Sequence, residues 1–267
     1  MAMDIKLFQR REEYMKLISF VSIVLILMLF MSCSMKHKDS QYAGLTDQQI
    51  YDKALEKLSK KKWMQGRELL RYLLENFFDS QLAMPAKLAI ADSYFNEKGM
   101  ENYAIAIQEY QEYSKLYPSS PNADYAQFQI GMCYFKQINK PGRDQSAANK
   151  SVEAFKQLLE TYPRSSYAQD AKTNMIEGQK NINLHRFSIA HFYFKRKKYE
   201  PALYRFNQIF ANSPDEALLP EMYFYYAETL KKMGMNEESK KYFSLLVEKF
   251  PHNEYAIKAK EILAKDI

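Results

Sequence analysis

Glycine and proline are scarce in this chain, at seven and nine of 267 residues. A sandwich or barrel needs both for its many turns, so their shortage argues against an all-β fold. Cysteine is scarcer still: Cys33 and Cys133 are the whole supply, and no disulfide framework can be built from them. The four histidines, His37, His185, His191 and His252, form no HxxxH pair, and His185 and His191, six apart on a helix, face different ways. GxSxG, GxxxxGK and CxxC motifs are missing, and carboxylate pairs such as Glu109 and Glu112 read as a solvated helix face. The expectation is a protein with no catalytic residues, no metal and no cofactor, and not an enzyme. Charge of one sign is also in short supply. The net +6 is a mild excess spread along the chain, without the concentrated basic footprint of a nucleic-acid binder.

What the chain does have is apolar and aromatic surface, 47% and 15% of its residues, arranged in a repeat. The clearest copy is Tyr199 to Pro214. Ala202, Phe206 and Ile209 share one helix face there, and Pro214 closes the segment. The same offsets recur four more times. The small position reads Gly66, Ala106, Ser151, Ala202 and Ser239, and the large position four residues on reads Leu70, Tyr110, Phe155, Phe206 and Phe243. Leu73, Tyr113, Leu158, Ile209 and Leu246 follow, then Phe78, Pro118, Pro163, Pro214 and Pro251 as terminators. A helix precedes each of these, with Ala54, Ala91, Gly131, Ala190 and Ala227 as its small residue. Small residues let two antiparallel helices approach, and large ones fill the groove to the next pair. The expected fold is all-α, a solenoid of about five tetratricopeptide-like helix pairs plus a C-terminal capping helix. The capping helix spans 253–267, with Tyr255, Ile257, Ile262 and Leu263 as its apolar side.

The prolines at 118, 163, 214 and 251 are spaced wider than the ideal period of about 34 residues. An insertion with a Pro141-Gly142 turn accounts for part of the excess, and a longer first helix in the fourth repeat, around Lys172 to His185, for the rest.

Ahead of the repeats, Leu17 to Met31 is a nearly unbroken apolar run, short for a spanning helix and suited to a secretory signal. Either Met1 or Met15 could begin it. Phe30-Met31-Ser32-Cys33 resembles a bacterial lipobox, which implies lipidation at Cys33; an uncleaved anchor is the other reading. The expected organisation is a lipoprotein signal peptide over 1–32, a lipidated tether over 33–46 and the repeat domain over 47–267. Cys133, beside Gly131 and Tyr134, reads as a buried structural thiol. Basic clusters at 60–62, 195–198 and 231–232 fall at the ends of first helices, where the helix dipole favours cations; contact with anionic lipid or an acidic partner is the alternative. Tyr223 to Tyr226 and His191 to Phe194 are too aromatic to face one way, so they are either sandwiched or exposed for docking.

From about Tyr51 to Leu263 the chain resembles the BamD family, lipoprotein subunits of the outer-membrane β-barrel assembly machine. The resemblance rests on the lipobox, the five offset repeats, Tyr117-Pro118-Ser119, Tyr162-Pro163-Arg164-Ser165-Ser166-Tyr167 with Asp170-Ala171, Arg143-Asp144-Gln145, and Tyr199, Ala202 and Arg205-Phe206. Phe78 in place of proline and Ser213 in place of tyrosine depart from it. The resemblance implies a scaffold on the periplasmic face of the outer membrane, held by a lipid anchor. Its partners would be a BamA-like β-barrel subunit, other assembly-machine lipoproteins and unfolded outer-membrane proteins, with no nucleic acid. It further implies partner-binding residues at Arg205, Arg143 and Asp144, and an N-terminal substrate groove that includes Phe78, Tyr94 and Arg71. Another tetratricopeptide lipoprotein of the envelope, such as a pilus pilot or coordinator, is the alternative within binding proteins; an envelope-polymer enzyme is the alternative outside them.

Overall fold

The computed structural model describes Tyr42 and residues 44–265; Cys33, the apolar run from Leu17 to Met31 and nearly all of the 33–46 tether lie outside the described residues. The chain divides into two compact units, Met1–Ile50 and Tyr51–Ile267. In the first, Thr46 and Gln49 bond reciprocally, side chain to backbone N–H at 3.0 and 3.2 Å, as a capping box.

The described residues form eleven α-helices and one short 3₁₀ turn. They are α1 (Asp47–Ser59), α2 (Trp63–Asn76), α3 (Ala83–Glu97), α4 (Met100–Leu116), α5 (Ala123–Phe135) and α6 (Ser146–Thr161). There follow α7 (Ala168–Lys195), α8 (Tyr199–Asn212), α9 (Pro220–Lys232), α10 (Asn236–Lys249) and α11 (Glu254–Lys265). Each helix from α2 onward packs on the next, and Leu58 of α1 lies against Gly66 of α2, which makes five pairs and a cap. The solenoid read from the repeat is borne out.

The small positions are where the two helices of a pair touch. All five on the first helices and all five on the second are buried. Ser151 donates its hydroxyl to the Gly131 carbonyl at 3.2 Å, and Ser239 does the same to Ala227 at 2.9 Å. Serine at this position therefore ties the second helix to the backbone of the first. A Cβ on Gly131 would come within 2.5 Å of the Phe155 ring, and one on Gly66 within 2.4 Å of Leu58. The large positions Leu70, Tyr110, Phe155, Phe206 and Phe243 are at most 1% exposed. Tyr110 carries a hydroxyl into this core and donates it to Asp92 at 2.7 Å, as Tyr125 does at 2.9 Å. Burial raises the Asp92 carboxyl above its usual range. Cys133 is fully buried, and burial, with Asp92 adding, pushes its thiol up to about 12.

Proline is not what ends the second helices. Phe77, Tyr117, Tyr162 and Phe250 adopt one cap conformation, φ between −127° and −133°, and each donates to the carbonyl four residues back. Phe77 does so with Phe78 after it. The shared element lies further on: Ser80, Ser120, Ser165 and Asn253 accept, through their side chains, the N–H two residues ahead. The fourth repeat departs from this pattern, and Ser213 explains how. Its hydroxyl donates to Asn183 at 2.9 Å, and Asn183, wholly buried on α7, donates to the Ala217 carbonyl at 3.0 Å. This bond locks the 3₁₀ turn Asp215–Ala217 against α7.

The extra length in the fourth repeat is all in α7, a single helix of 28 residues that packs on α5, α6, α8 and α9. Tyr223 to Tyr226 are sandwiched: Tyr223 and Tyr226 are buried, Phe224 meets Phe243 and Tyr255, and Tyr225 meets Phe187, His191 and Phe194. Phe192 is not, and lies half exposed. One apolar assignment fails. On α11, Ala256 and Ala259 are the buried residues, with Tyr255, Ile262 and Leu263 packed beside them, whereas Ile257 points outward. Two residues along a helix is about 200° of rotation, so Tyr255 and Ile257 cannot share a face, and the small alanines take the seam.

Within three pairs the turn is a Schellman-type cap. Lys62, Lys198 and Met235 donate to carbonyls five residues back, with Lys61 (φ 57°), Lys197 (φ 59°) and Gly234 (φ 79°) in the left-handed conformation. Lysine there is strained where glycine is not.

Two substitutions test this packing. Gly131→Ala should cost about 1–3 kcal/mol by overpacking against the immobile Phe155 ring, measured by urea denaturation. Lys197→Gly should raise stability by about 0.5–1 kcal/mol in the same measurement, since only the left-handed strain is relieved.

Candidate functional site

Arg205 lies on α8 immediately before the packing residue Phe206, which turns its guanidinium off the core stripe. It is half-buried, donates to Gln208 at 3.3 Å and lies 5.6 Å from the exposed Tyr204 ring. Across from it is Arg186 on α7. Burial, then the neighbouring charge of Arg205, lowers the pKa of Arg186. Two cations share this surface, and among the described residues neither has an ion-pair partner of its own chain. A carboxylate supplied from outside would relieve both the burial and the repulsion.

Arg186 escaped the sequence reading, although a signal for it exists. Arg186-Phe187 repeats the Arg205-Phe206 arrangement, and the two phenylalanines meet with ring centroids 6.1 Å apart. Each arginine is held at the rim by the aromatic that follows it.

The insertion between α5 and α6 docks on the same helix. Asn181 donates to the Asn139 carbonyl and to Gln145, both at 2.7 Å, and the His185 ring bonds the Pro141 carbonyl. Gln145 in turn donates to the Lys140 and Arg143 carbonyls, which fixes the loop from inside. Arg143 and Asp144 remain exposed on it; Asp144 accepts from Ser146 at 2.8 Å. His185, which holds the loop, is the residue before Arg186. Helix α7 thus carries both the loop with Arg143 and Asp144 and the arginine pair. His191 sits elsewhere, stacked on Phe187 at 5.4 Å and against Tyr225 at 4.4 Å, in a core setting.

The expected groove residues are only partly brought together. Arg71 on α2 donates to the Tyr94 hydroxyl on α3 at 2.9 Å, with half of its side chain exposed. Tyr94 is largely buried, and Arg67, itself paired to Glu97 at 2.7 Å, stacks 4.0 Å from its ring. Tyr94 is therefore floor, not contact surface. Phe78 is 79% exposed in the turn after α2, and no bond links it to the other two. Glu109 corrects the expectation of a solvated face, whereas Glu112 remains 56% exposed. Both grip Lys87, at 2.8 and 2.6 Å, and Lys87 and Glu109 are mostly buried. Their helix packs along α3, and a lysine reaching across converts them into a clasp between α3 and α4. Among the described residues no group of histidines, cysteines and carboxylates could hold a metal, and no helix is long and apolar enough to cross a membrane.

A family model described as YfiO, outer membrane lipoprotein, matches residues 44–243. The outer membrane protein assembly factor BamD of Caulobacter vibrioides is 29% identical over 161 residues, 60% of this chain and 53% of that protein, so the chain spans about half of that relative's length in the match. The BamD of Rickettsia prowazekii is 23% identical over 241 residues, 90% of this chain and 95% of that one. Among solved structures, the TPR2AB domain of yeast Sti1 in complex with an Hsp90 peptide has a TM-score of 0.42 at 13% identity, covering 81% of this chain and 82% of that one. The resemblance carried by the offset repeats and the helix ends is borne out, and the chain belongs to the YfiO family of outer membrane lipoproteins, together with the BamD proteins.

Proposed function

We propose that this chain is a non-catalytic scaffold, anchored by acyl chains on Cys33 to the periplasmic face of the outer membrane, that assists the assembly of β-barrel proteins. It docks the barrel-forming subunit through its C-terminal repeats and receives segments of unfolded barrel proteins along its N-terminal ones. The curated relatives bear the name of assembly factors for outer membrane proteins, which supports the outer-membrane setting. The observation that carries the docking role is the Arg186 and Arg205 pair, two half-buried guanidiniums with no ion-pair partner among the described residues. An acidic side chain of the partner, seated between them, makes a bidentate contact that a lysine could not reproduce. Arg143 and Asp144, on the loop held by the same helix, extend the contact to a second patch. On the N-terminal side, Arg71, half exposed and 4.0 Å from Glu109 of the Lys87 clasp, offers its outer face and Phe78 an apolar contact to an extended peptide.

Arg205→Glu should abolish copurification with the barrel-forming subunit, and Arg186→Gln should weaken it about tenfold or more, with helical circular dichroism unchanged in both. An undiminished pull-down by Arg205→Glu removes the pair from the interface. Radiolabelled palmitate should enter the wild-type protein and fail to enter Cys33→Ala; label retained by the variant refutes the anchor.

A further inference from the structure

Consecutive antiparallel helices place the turns within pairs on one edge of the 51–267 solenoid and the turns between pairs on the other. The first edge is unusual in three respects. It holds five of the large apolar side chains left in water: Met64 (74% exposed), Met100 (78%), Phe192, Met233 and Met235. It holds the two wholly basic runs, 60–62 and 195–198. Three of its turns also force a lysine to positive φ, at Lys61, Lys98 and Lys197.

The helix dipole explains cations in a last turn, and Lys57, Lys195 and Lys231 already serve it. It does not explain lysine at strained positions where Gly234 shows what the turn prefers. Nor does it explain methionines at the tips. Acidic residues are present on this edge too, in the first turns of α4, α8 and α10, and Lys60 is paired with Glu56 at 2.6 Å. The excess of cations comes from the two runs. Arg196 lies 3.8 Å over the Phe192 ring, an apolar tip covered by a charged one. The other edge carries exposed Phe78, Leu116 and Ile257, but its turns hold no basic run, and there Lys249 pairs with Asp215 at 2.7 Å.

We propose that the edge made by the turns within the first, second, fourth and fifth helix pairs lies on an anionic lipid surface, with its lysines among the headgroups and its methionines and Phe192 in the interface. Lipid fits better than an acidic protein. The apolar tips are one or two side chains on each of four separate turns, every one of which also carries lysine, whereas a protein interface gathers its apolar residues into one central patch. Lys and Arg beside an anionic leaflet are attracted to it, and their stems lie along apolar surface while the heads stay wet. The proposal deepens the membrane location above, but it requires only that the chain reach a membrane, whether or not Cys33 is acylated.

The chain supplies its own probe. Trp63, its sole tryptophan, sits half-buried between the 60–62 run and Met64. The full chain would be reconstituted in phosphatidylcholine vesicles, with or without phosphatidylglycerol, carrying lipids brominated near the headgroup. Trp63 emission should be quenched in the phosphatidylglycerol vesicles and recover as salt is raised. Quenching should fall about twofold or more when both runs are neutralised by Lys60→Gln, Lys61→Gly, Lys62→Gln, Lys195→Gln, Arg196→Gln, Lys197→Gly and Lys198→Gln. Should that variant lose its circular dichroism, the salt titration of the wild type decides alone. Emission unquenched in both vesicles, or quenching indifferent to salt, overturns the proposal; an unquenched Trp63 that shifts only on adding an acidic protein partner overturns it in favour of that partner. If Cys33→Ala carries no less acyl label than wild type while quenching stands, the anchor fails and the edge does not.

Discussion

The contact on which this molecule depends is the near approach of two helix backbones at a residue with almost no side chain. Where Ser151 reaches the Gly131 carbonyl, and Ser239 that of Ala227, the helices are close enough for a hydroxyl on one to bond the backbone of the other. Everything larger is placed by that approach. Phe155 fills the space beside Gly131 so tightly that no added methyl fits, and the next pair packs on what remains. The solenoid is thus assembled from short-range constraints repeated in series, which is the energetic signature of repeat proteins.

This locality is why so much of the fold is legible in the sequence. A small residue, a large one four later and another three after that name the contact, the filler and the neighbour, and all fifteen of those residues are buried. The capping helix is less legible, because its seam is made by Ala256 and Ala259. Alanine carries little apolar signal beside a tyrosine or isoleucine, and Ile257 drew attention while facing water. Helix ends were legible for a partly mistaken reason. Proline marks them, but the turn is built from an aromatic cap and a serine or asparagine three residues after it, and Phe77-Phe78-Asp79-Ser80 makes it without proline.

The candidate sites were legible in proportion to how far they depend on single residues. Arg205 could be found because it stands off a known stripe. Arg186 could not be found from its own helix, since its meaning comes from a second cation on another element. The burial of Glu109 is hidden for the same reason: charge spacing on one helix says nothing of Lys87 arriving from α3. Tyr94 is aromatic and central, yet Arg67 and Arg71 close over it. In each case the missing information is tertiary, a partner close in sequence but on a different helix.

Helix α7 is at once a wall of the third repeat and the first half of the fourth, with the buried Asn183 fastening the following turn to it. Repeat proteins usually come apart at their seams, each module fraying without its neighbour. Here the seam is spanned by one continuous rod. A pull on the C-terminal repeats bends the same beam that the insertion loop rests on, so the middle of the molecule has no soft joint and fails, when it fails, as one piece.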